Sequence, residues 1–306
     1  MERLINLLIR LIPTAVKQRM IEVISQIVRN QFLALSQNKG LETTAHQDPA
    51  PALDLSKKVE ELEIAIEQME SILQVEKSIP PPPPKHLQIR VAGVYVPDFI
   101  RSGARTYQLL NDALKSENKN LDGFKTILDF GCGCGRIVRA FRHFLPSQNL
   151  YGTDIDPEAI EWLKTNYRDI AEFGVNPYLP PMSYKEETFD FIYSISIFTH
   201  LPEEMQFAWL EELRRITKPG GYLILTTHGE TYYEKLPPEK QTIIKKKGFY
   251  YNEDESLKTE GLPVFYKVAY HSHHYIRKEW RKYFDILKMI ADGLDHQDII
   301  LLQKRS

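Results

Sequence analysis

The sequence predicts an α/β fold in which a doubly wound, mainly parallel sheet is covered by helices on both faces. Two observations lead to this prediction. From residue 85 onward, apolar strand-like runs alternate with amphipathic helical segments, the pattern of parallel strands joined by crossover helices. A glycine-rich turn also follows the first apolar run, in Thr126-Ile-Leu-Asp-Phe-Gly-Cys-Gly-Cys-Gly-Arg136. A strand that turns sharply into a helix needs the backbone freedom that glycine provides.

A helical appendage is predicted over residues 1–79. Apolar side chains recur at helical spacing in residues 1–36, where basic residues outnumber acidic ones, and this pattern predicts an amphipathic helix. Such a helix binds either an anionic membrane surface or a protein, and both interpretations are open. An apolar heptad seam of about three repeats in residues 55–77 favours a short coiled coil that forms a homodimer over packing within one chain.

A proline run, residues 80–84, marks the boundary between this appendage and the α/β domain. Proline has no amide hydrogen for a helix, so the run predicts a semi-rigid polyproline II linker. The α/β domain is expected to occupy residues 85–306, with an insertion at about 229–272.

Within the domain, apolar runs bounded by turn residues predict strands, and the amphipathic segments between them predict helices. The predicted strands lie near 126–130, 149–153, 189–195 and 222–227, with a weaker one near 171–176. The predicted helices lie near 104–117, 136–145, 157–168 and 203–217.

Composition limits the ligands that this protein is expected to bind and the compartment in which it is expected to occur. The formal net charge is −2, so no strong field for nucleic acid is expected. The cysteines, Cys132 and Cys134, lie two residues apart in a tight turn, which disfavours a disulfide or a four-ligand metal site. Free thiols predict a reducing, cytoplasmic location, with membrane association if residues 1–36 lie on lipid. No run is long and apolar enough to span a bilayer.

Two acids mark a candidate ligand site. Asp129 ends the first predicted strand, and Asp154 ends the second about 20 residues on, where a ribose-binding carboxylate belongs. The glycines between them alternate as Gly131, Gly133 and Gly135. This arrangement predicts binding of an adenosyl compound. Arg136 stands where a dinucleotide fingerprint has its last glycine, which argues against a pyrophosphate site.

The stretch from Leu128 to Gly135 resembles the first motif of class I S-adenosylmethionine-dependent methyltransferases, especially bacterial ones that modify small molecules or saccharides. Later segments resemble further family motifs in the expected order, namely Pro180 to Asp190, Phe191 to Leu201, Lys218 to Gly221, and a closing hairpin of Phe284 to Ala291 and Asp298 to Gln303. The resemblance covers about residues 100–304. It implies a seven-stranded Rossmann-like sheet with an antiparallel last strand, and S-adenosylmethionine as the methyl donor.

The resemblance also implies roles for particular residues at the donor site. The Gly131–Gly135 loop is expected near the methionine part of the donor, with Asp129 favouring its ammonium directly or through water. Asp154 is expected to accept hydrogen bonds from the ribose hydroxyls, since both carboxylate oxygens can accept at once. The adenine would contact Ile155 and Asn176, with Tyr178 or Met182 as alternatives to Asn176. Backbone carbonyls from Ser194 to Ser196 are expected at the amino acid end.

The acceptor is predicted to be a hydroxyl compound, whose proton a general base removes as the hydroxyl attacks. His200, just after the fourth strand, is the first candidate for this base, and His228, after the fifth, is the second. For each histidine, the alternative interpretation is a structural role, in which the ring packs at the end of a strand or the start of a helix. Aromatic residues of the insertion form either flat walls for a sugar ring or a small core of their own; they are Tyr232, Tyr233, Phe249, Tyr250, Tyr251, Phe265, Tyr266 and Tyr270.

The predicted function is therefore methyl transfer to a small molecule or saccharide. Two other classes are weighed against it. A non-catalytic scaffold that assembles through its helices would bind the donor poorly, and a nicotinamide-dependent oxidoreductase would need the missing glycine. A metal site is not predicted, because the three histidines near residue 273 lack an acid or cysteine at ligand spacing.

Overall fold

The computed structural model describes residues 80, 82–92, 99–253 and 263–306. The predictions of an amphipathic helix and a coiled coil fall on residues 1–79, outside the described residues. The chain divides into two compact units, Met1–Pro80 and Pro81–Ser306. The elements described below belong to the second unit.

Nine strands form a large sheet and a small one in the described residues. Their bounds are β1 Thr126–Phe130, β2 Asn149–Asp154, β3 Glu172–Val175, β4 Phe189–Ser194, β5 Thr217–Thr227, β6 Phe249–Asn252, β7 Val268–His271, β8 Asp285–Leu294 and β9 Gln297–Gln303. The large sheet has seven strands in the order β3-β2-β1-β4-β5-β9-β8. The first five strands pair in parallel, whereas β9 is antiparallel to β5 and β8. The predicted doubly wound sheet with an antiparallel end is confirmed.

Eight α-helices accompany the strands in the same part of the chain. Their bounds are α1 Lys85–Ala92, α2 Phe99–Leu114, α3 Arg136–Phe144, α4 Pro157–Asn166, α5 Glu203–Ile216, α6 Glu230–Tyr233, α7 Pro238–Lys247 and α8 His273–Glu279. Asp156 caps α4 by accepting from the amides of Glu158 and Ala159, with Pro157 at the first helical position, as the sequence predicts.

Two hydrophobic clusters cover the two faces of the sheet. Ile127 faces the cluster that contains α3, whereas its neighbour Leu128 faces the cluster that contains α5. The same alternation continues along β4 with Phe191 and Ile192, all four side chains being almost completely buried. Because the central strands are buried on both faces, they are apolar at nearly every position.

Two element boundaries differ from the prediction. Helix α2 begins at Phe99, not near residue 104, because Gly103 lies inside the helix and lets it approach the backbone of α3. Strand β5 begins at Thr217, not near residue 222, because it includes Lys218–Gly221 as an irregularity in its pairing with β4.

The insertion forms a small substructure with its own core. Strands β6 and β7 make an antiparallel pair, and a separate cluster buries Tyr233, Ile244, Val268 and Tyr270. The amide of Ala269 in β7 donates to the carbonyl of Thr199 at 2.8 Å. The insertion is thereby attached to the loop that follows β4.

Replacement of Gly103 with alanine tests the α2–α3 contact. An added Cβ would overlap the carbonyl oxygen of Arg136, so we expect Gly103→Ala to lower the free energy of unfolding by about 1–3 kcal/mol. Gly123→Ala is the control, because its Cβ would meet the described structure at an ordinary 3.4 Å from Asn120. Urea unfolding of both variants checks this, and equal stability would contradict the close contact.

Candidate active site

A cleft of about 760 Å³ opens at the carboxyl edge of the sheet. Its wall includes Gly131 and Gly133 after β1, Asp154 and Ile155 at the end of β2, Asn176 after β3, and Ser196 after β4. Six of the predicted donor residues therefore meet in one cleft. Its position is the usual one for ligands of open parallel sheets.

The glycine loop is shaped by positive φ angles. Gly131 has a φ of 82°, and a Cβ at this position would overlap the side chain of Ile197. Gly135 begins α3 in the left-handed region and packs closely on Leu163, and it does not line the cleft in the described structure. The loop therefore needs glycine at Gly131 for the cleft wall and at Gly135 for helix packing.

Two backbone amides fix the carboxylate of Asp154. The amide of Gly133 donates to Oδ2 at 2.7 Å, and the amide of Asp156 donates to Oδ1 at 2.9 Å. Each oxygen retains a lone pair that can accept a further bond. Burial raises the pKa of Asp154 to about 6, against the lowering effect of the two amides.

Asp129 lies behind the cleft. Its side chain is only 2% exposed, and the Tyr193 hydroxyl donates to its Oδ2 at 2.8 Å. Burial raises the pKa of Asp129 to about 7. Asp129 does not line the cleft in the described structure, so it is not exposed for the predicted direct contact with a ligand ammonium. A contact through water stays a prediction.

Asn176 offers an unused acceptor beside the cleft. Its backbone amide donates to the carbonyl of Asp154 at 3.0 Å, and its Nδ2 donates to the carbonyl of Pro177 at 3.0 Å. Its buried Oδ1 has no hydrogen-bond partner among the described residues. An exocyclic amino group of adenine would supply the missing donor, so the residues fit an adenosyl group. Tyr178 also lines the cleft.

Ser196 is held by three elements. It has a φ of 62°, a strained conformation for a residue with a side chain. Its amide donates to Thr226 Oγ1 at 2.9 Å, its carbonyl accepts from the Tyr266 hydroxyl at 3.1 Å, and its Oγ accepts from Gln297 Nε2 at 2.6 Å. Ser194, by contrast, pairs inside β4 and is fully buried, outside the described cleft wall.

The two candidate bases, His200 and His228, lie close together and contact the backbone of the insertion. Nδ1 of His200 is 2.7 Å from the carbonyl oxygen of Lys267, and Nδ1 of His228 is 3.2 Å from that of Ala269. A carbonyl only accepts, so Nδ1 carries the proton in both rings and Nε2 keeps a lone pair. Burial lowers the pKa of His200 to about 4 and that of His228 to about 3.

Tyr266 connects His200 to the cleft wall. Its ring stacks on His200 with centroids 4.4 Å apart, and His228 lies 6.1 Å from His200. Tyr266 lines the cleft, and neither histidine does so in the described structure. Within the aromatic insertion, Tyr233 and Tyr270 form core, while Phe265 and Tyr266 line the cleft. A wall for a sugar ring stays a prediction.

Three site residues were missed by sequence reasoning. Arg90 and Trp209 line the cleft from α1 and α5, and Gln297 holds Ser196 from the start of β9. None of them stands in a motif, although the resemblance implies that residues 85–103, which include Arg90, wrap the edge of the cleft. No group of three or more histidines, cysteines and acids that could hold a metal occurs within the described residues. In the same part of the chain, no helix combines the length and hydrophobicity needed to cross a membrane.

Comparison with known proteins agrees with this geometry. A family model described as a methyltransferase domain matches residues 127–221. The chain is 25% identical to malonyl-(acyl-carrier protein) O-methyltransferase of Hahella chejuensis over 43% of this chain and 49% of that protein. It is 27% identical to a tRNA N(3)-methylcytidine methyltransferase of Schizosaccharomyces pombe over 45% of this chain and 64% of that protein. The chain thus spans less than two thirds of either relative.

A solved structure shares the fold. A candidate O-methyltransferase from Nostoc punctiforme matches with a TM-score of 0.50 and 13% identity, over 72% of this chain and 60% of that one. The strand order and the cleft define an α/β methyltransferase fold of class I. Residues 127–221 match the methyltransferase domain family, and the fold around them is that of class I S-adenosylmethionine-dependent methyltransferases.

The buried acid Asp129 predicts a pH-dependent stability. Its pKa is raised in the folded state, so the folded protein binds a proton that the unfolded chain releases between about pH 4 and 7, and the stability from this group falls as pH rises through that window. An asparagine side chain at this position cannot ionise. We therefore expect Asp129→Asn to gain stability relative to the wild type from about pH 5 to pH 8. Thermal unfolding at both pH values measures this, and a constant difference would refute it.

Proposed function

We propose that this protein transfers a methyl group from S-adenosylmethionine to a hydroxyl oxygen of a small molecule or saccharide. The observation that supports the proposal is the meeting of Gly133, Asp154 and Asn176 at the ends of neighbouring strands in one cleft. When bound, the donor supplies a methyl group activated by a positively charged sulfonium. The remaining steps are carried out by side chains of this chain.

On the donor side, each residue would have one task. The fixed carboxylate of Asp154 offers lone pairs to a ribose diol, and the unpartnered Oδ1 of Asn176 accepts from an amino group. Ile155 supplies an apolar surface for the base. The backbone of Gly131 and Gly133 lines the cleft without side chains, which lets a ligand approach it closely.

Where the methyl acceptor is expected to bind, the polar atoms without partners are mainly ones that accept hydrogen bonds. Nε2 of His200 and Nε2 of His228 make no hydrogen bond within the described structure, and the buried Oε1 of Gln297 has no partner there either. A ligand next to them must therefore bring donors. Hydroxyl groups of a saccharide meet this requirement, whereas a carboxylate or phosphate does not.

His200 would act as the general base, with His228 as the second candidate. The low pKa of His200 keeps its ring neutral at physiological pH, and the carbonyl of Lys267 fixes the tautomer in which Nε2 is unprotonated. Nε2 could then take the proton of a hydroxyl placed beside Ser196 and Tyr266. Because a base with a low pKa binds the proton weakly, transfer would accompany bond formation and would not precede it.

Nucleic acid, a membrane or another protein is an alternative partner that experiments can distinguish from a small-molecule acceptor. One relative acts on tRNA by its name, but the net charge of −2 provides no general attraction for nucleic acid. Membrane contact through residues 1–36, a homodimer through residues 55–77 and a cytoplasmic location stay predictions. A scaffold role would be favoured if the donor bound poorly.

Donor binding is tested first. By calorimetry, we expect the wild type to bind S-adenosylhomocysteine and not NADH, and we expect Asp154→Ala to weaken that affinity roughly 10- to 100-fold, because hydrogen bonds to a charged group are lost. Asp169→Asn serves as the control, since its side chain is 92% exposed. Tight NADH binding by the wild type without S-adenosylhomocysteine binding would favour the oxidoreductase alternative.

Methyl transfer is tested with methyl-labelled donor and libraries of hydroxylated metabolites, saccharides and tRNA. We expect label in an O-methyl ether. His200→Gln should lower kcat by about 10²- to 10⁴-fold while leaving S-adenosylhomocysteine affinity near the wild-type value, and His228→Gln is compared in parallel. Since the pKa of His200 is about 4, kcat at saturating donor should persist to about pH 5. Label in tRNA alone would overturn the acceptor assignment.

A further inference from the structure

The donor cleft contains a cation that comes from outside the family-matched segment. Arg90 on α1 lines the cleft, and its Nη1 lies 2.7 Å from Asp156 Oδ2 and 2.8 Å from Glu158 Oε2. The side chains of Arg90 and Asp156 are only 19% and 10% exposed. This pair joins residues 66 positions apart, and it is shielded from solvent far more than a surface salt bridge.

Asp156 connects this cation to the ribose-site carboxylate. Its backbone amide donates to Asp154 Oδ1 at 2.9 Å, and its own Oδ1 accepts from the first amides of α4. Oδ2 is therefore the oxygen left for Arg90. With both of its oxygens engaged, the Asp156 side chain has a fixed position, and its negative charge lies two residues from Asp154.

We propose that Arg90 is a positioning residue of the donor site, which neutralises Asp156 and thereby keeps the neighbouring Asp154 carboxylate ionised and ready to accept from the ribose. The inference rests on the proposed function for the identity of the ligand. Its electrostatic part concerns Asp154 in the free protein and can be tested without any ligand.

The charges around Asp154 give the direction of the effect. The charge of Asp156 raises the pKa of Asp154, in addition to burial, and the Arg90 guanidinium offsets that charge by pairing with Asp156 at 2.7 Å. Four other groups coupled to Asp154 carry no positive charge, namely Cys132, Cys134, Tyr266 and Asp129. Arg136 is a second buried cation, which is coupled to Asp129 and Cys134. Without Arg90, the negative charge of Asp156 would be less compensated, and Asp154 would take up a proton more readily.

The same contacts account for the position of α1. Leu87 is 1% exposed and packs with Cys134 and Ala159, while His86 lies 2.8 Å from the exposed Glu158. The apolar contact therefore attaches the helix, and Arg90 can be changed without removing it. This makes an uncharged polar variant of Arg90 a usable probe.

The test measures the Asp154 carboxyl by carbon NMR in the ligand-free full-length protein, with the resonance assigned from Asp154→Asn. We expect Arg90→Gln to raise the Asp154 pKa by about one unit. Arg90→Lys should keep most of the wild-type value. The double variant Arg90→Gln/Asp156→Asn should restore it, because asparagine still caps α4 but carries no charge.

Binding of S-adenosylhomocysteine is measured on the same variants across pH. Arg90→Gln should weaken affinity roughly fivefold near pH 6 and little near pH 8, because a pKa raised by one unit from about 6 lowers the ionised fraction of Asp154 at pH 6 from about one half to about one tenth. His86→Gln is the matched control, since it also loses a contact to Glu158. An unchanged Asp154 pKa in Arg90→Gln, or a loss of affinity equal at every pH and not rescued by Asp156→Asn, overturns the inference. Failure of the wild type to bind the nucleoside overturns the proposed function, while the NMR result still decides the role of Arg90.

Discussion

The hydrogen bonds received by Asp154 are the interaction on which the site depends. One carboxylate joins the turn after β1, through Gly133, to the turn after β2, through Asp156. The two turns come from neighbouring parallel strands, so their separation is fixed by the sheet. If either turn moved, the carboxylate would lose one of these bonds and with it a constraint on its orientation. The rigidity of the donor half thus comes from the backbone, and a ligand need not impose it.

The opposite half of the cleft is held in a different way. Ser196 occupies a strained backbone conformation and is stabilised by Thr226, Tyr266 and Gln297, which come from β5, the insertion and β9. Strain of this kind persists only where the surroundings determine the conformation completely. The cleft therefore joins a side built within the β-α-β core to a side built by elements distant in sequence.

This difference explains what could be read from the sequence. The strands, the glycine loop and Asp154 were predicted because local patterns determine them, and Ile155 and Asn176 followed from the resemblance. Arg90 and Gln297 could not be predicted, because each acts through one contact to a residue 66 or 101 positions away. The start of α2 was misplaced because Gly103 resembles a helix boundary, whereas a contact between helices requires it. Asp129 was predicted from its position at a strand end, whereas its burial and its hydrogen bond from Tyr193 of the neighbouring strand could not be read from the sequence.

The separate core of the insertion has an evolutionary consequence. Tyr233, Ile244, Val268 and Tyr270 bury one another, whereas Phe265 and Tyr266 line the donor cleft and Phe249 and Ala269 join the main core. The self-buried part can therefore diverge as a cassette more freely than the insertion residues that touch the nucleoside pocket. Descendants of such a protein could exchange this cassette and acquire new substrates while they inherit the same donor chemistry unaltered.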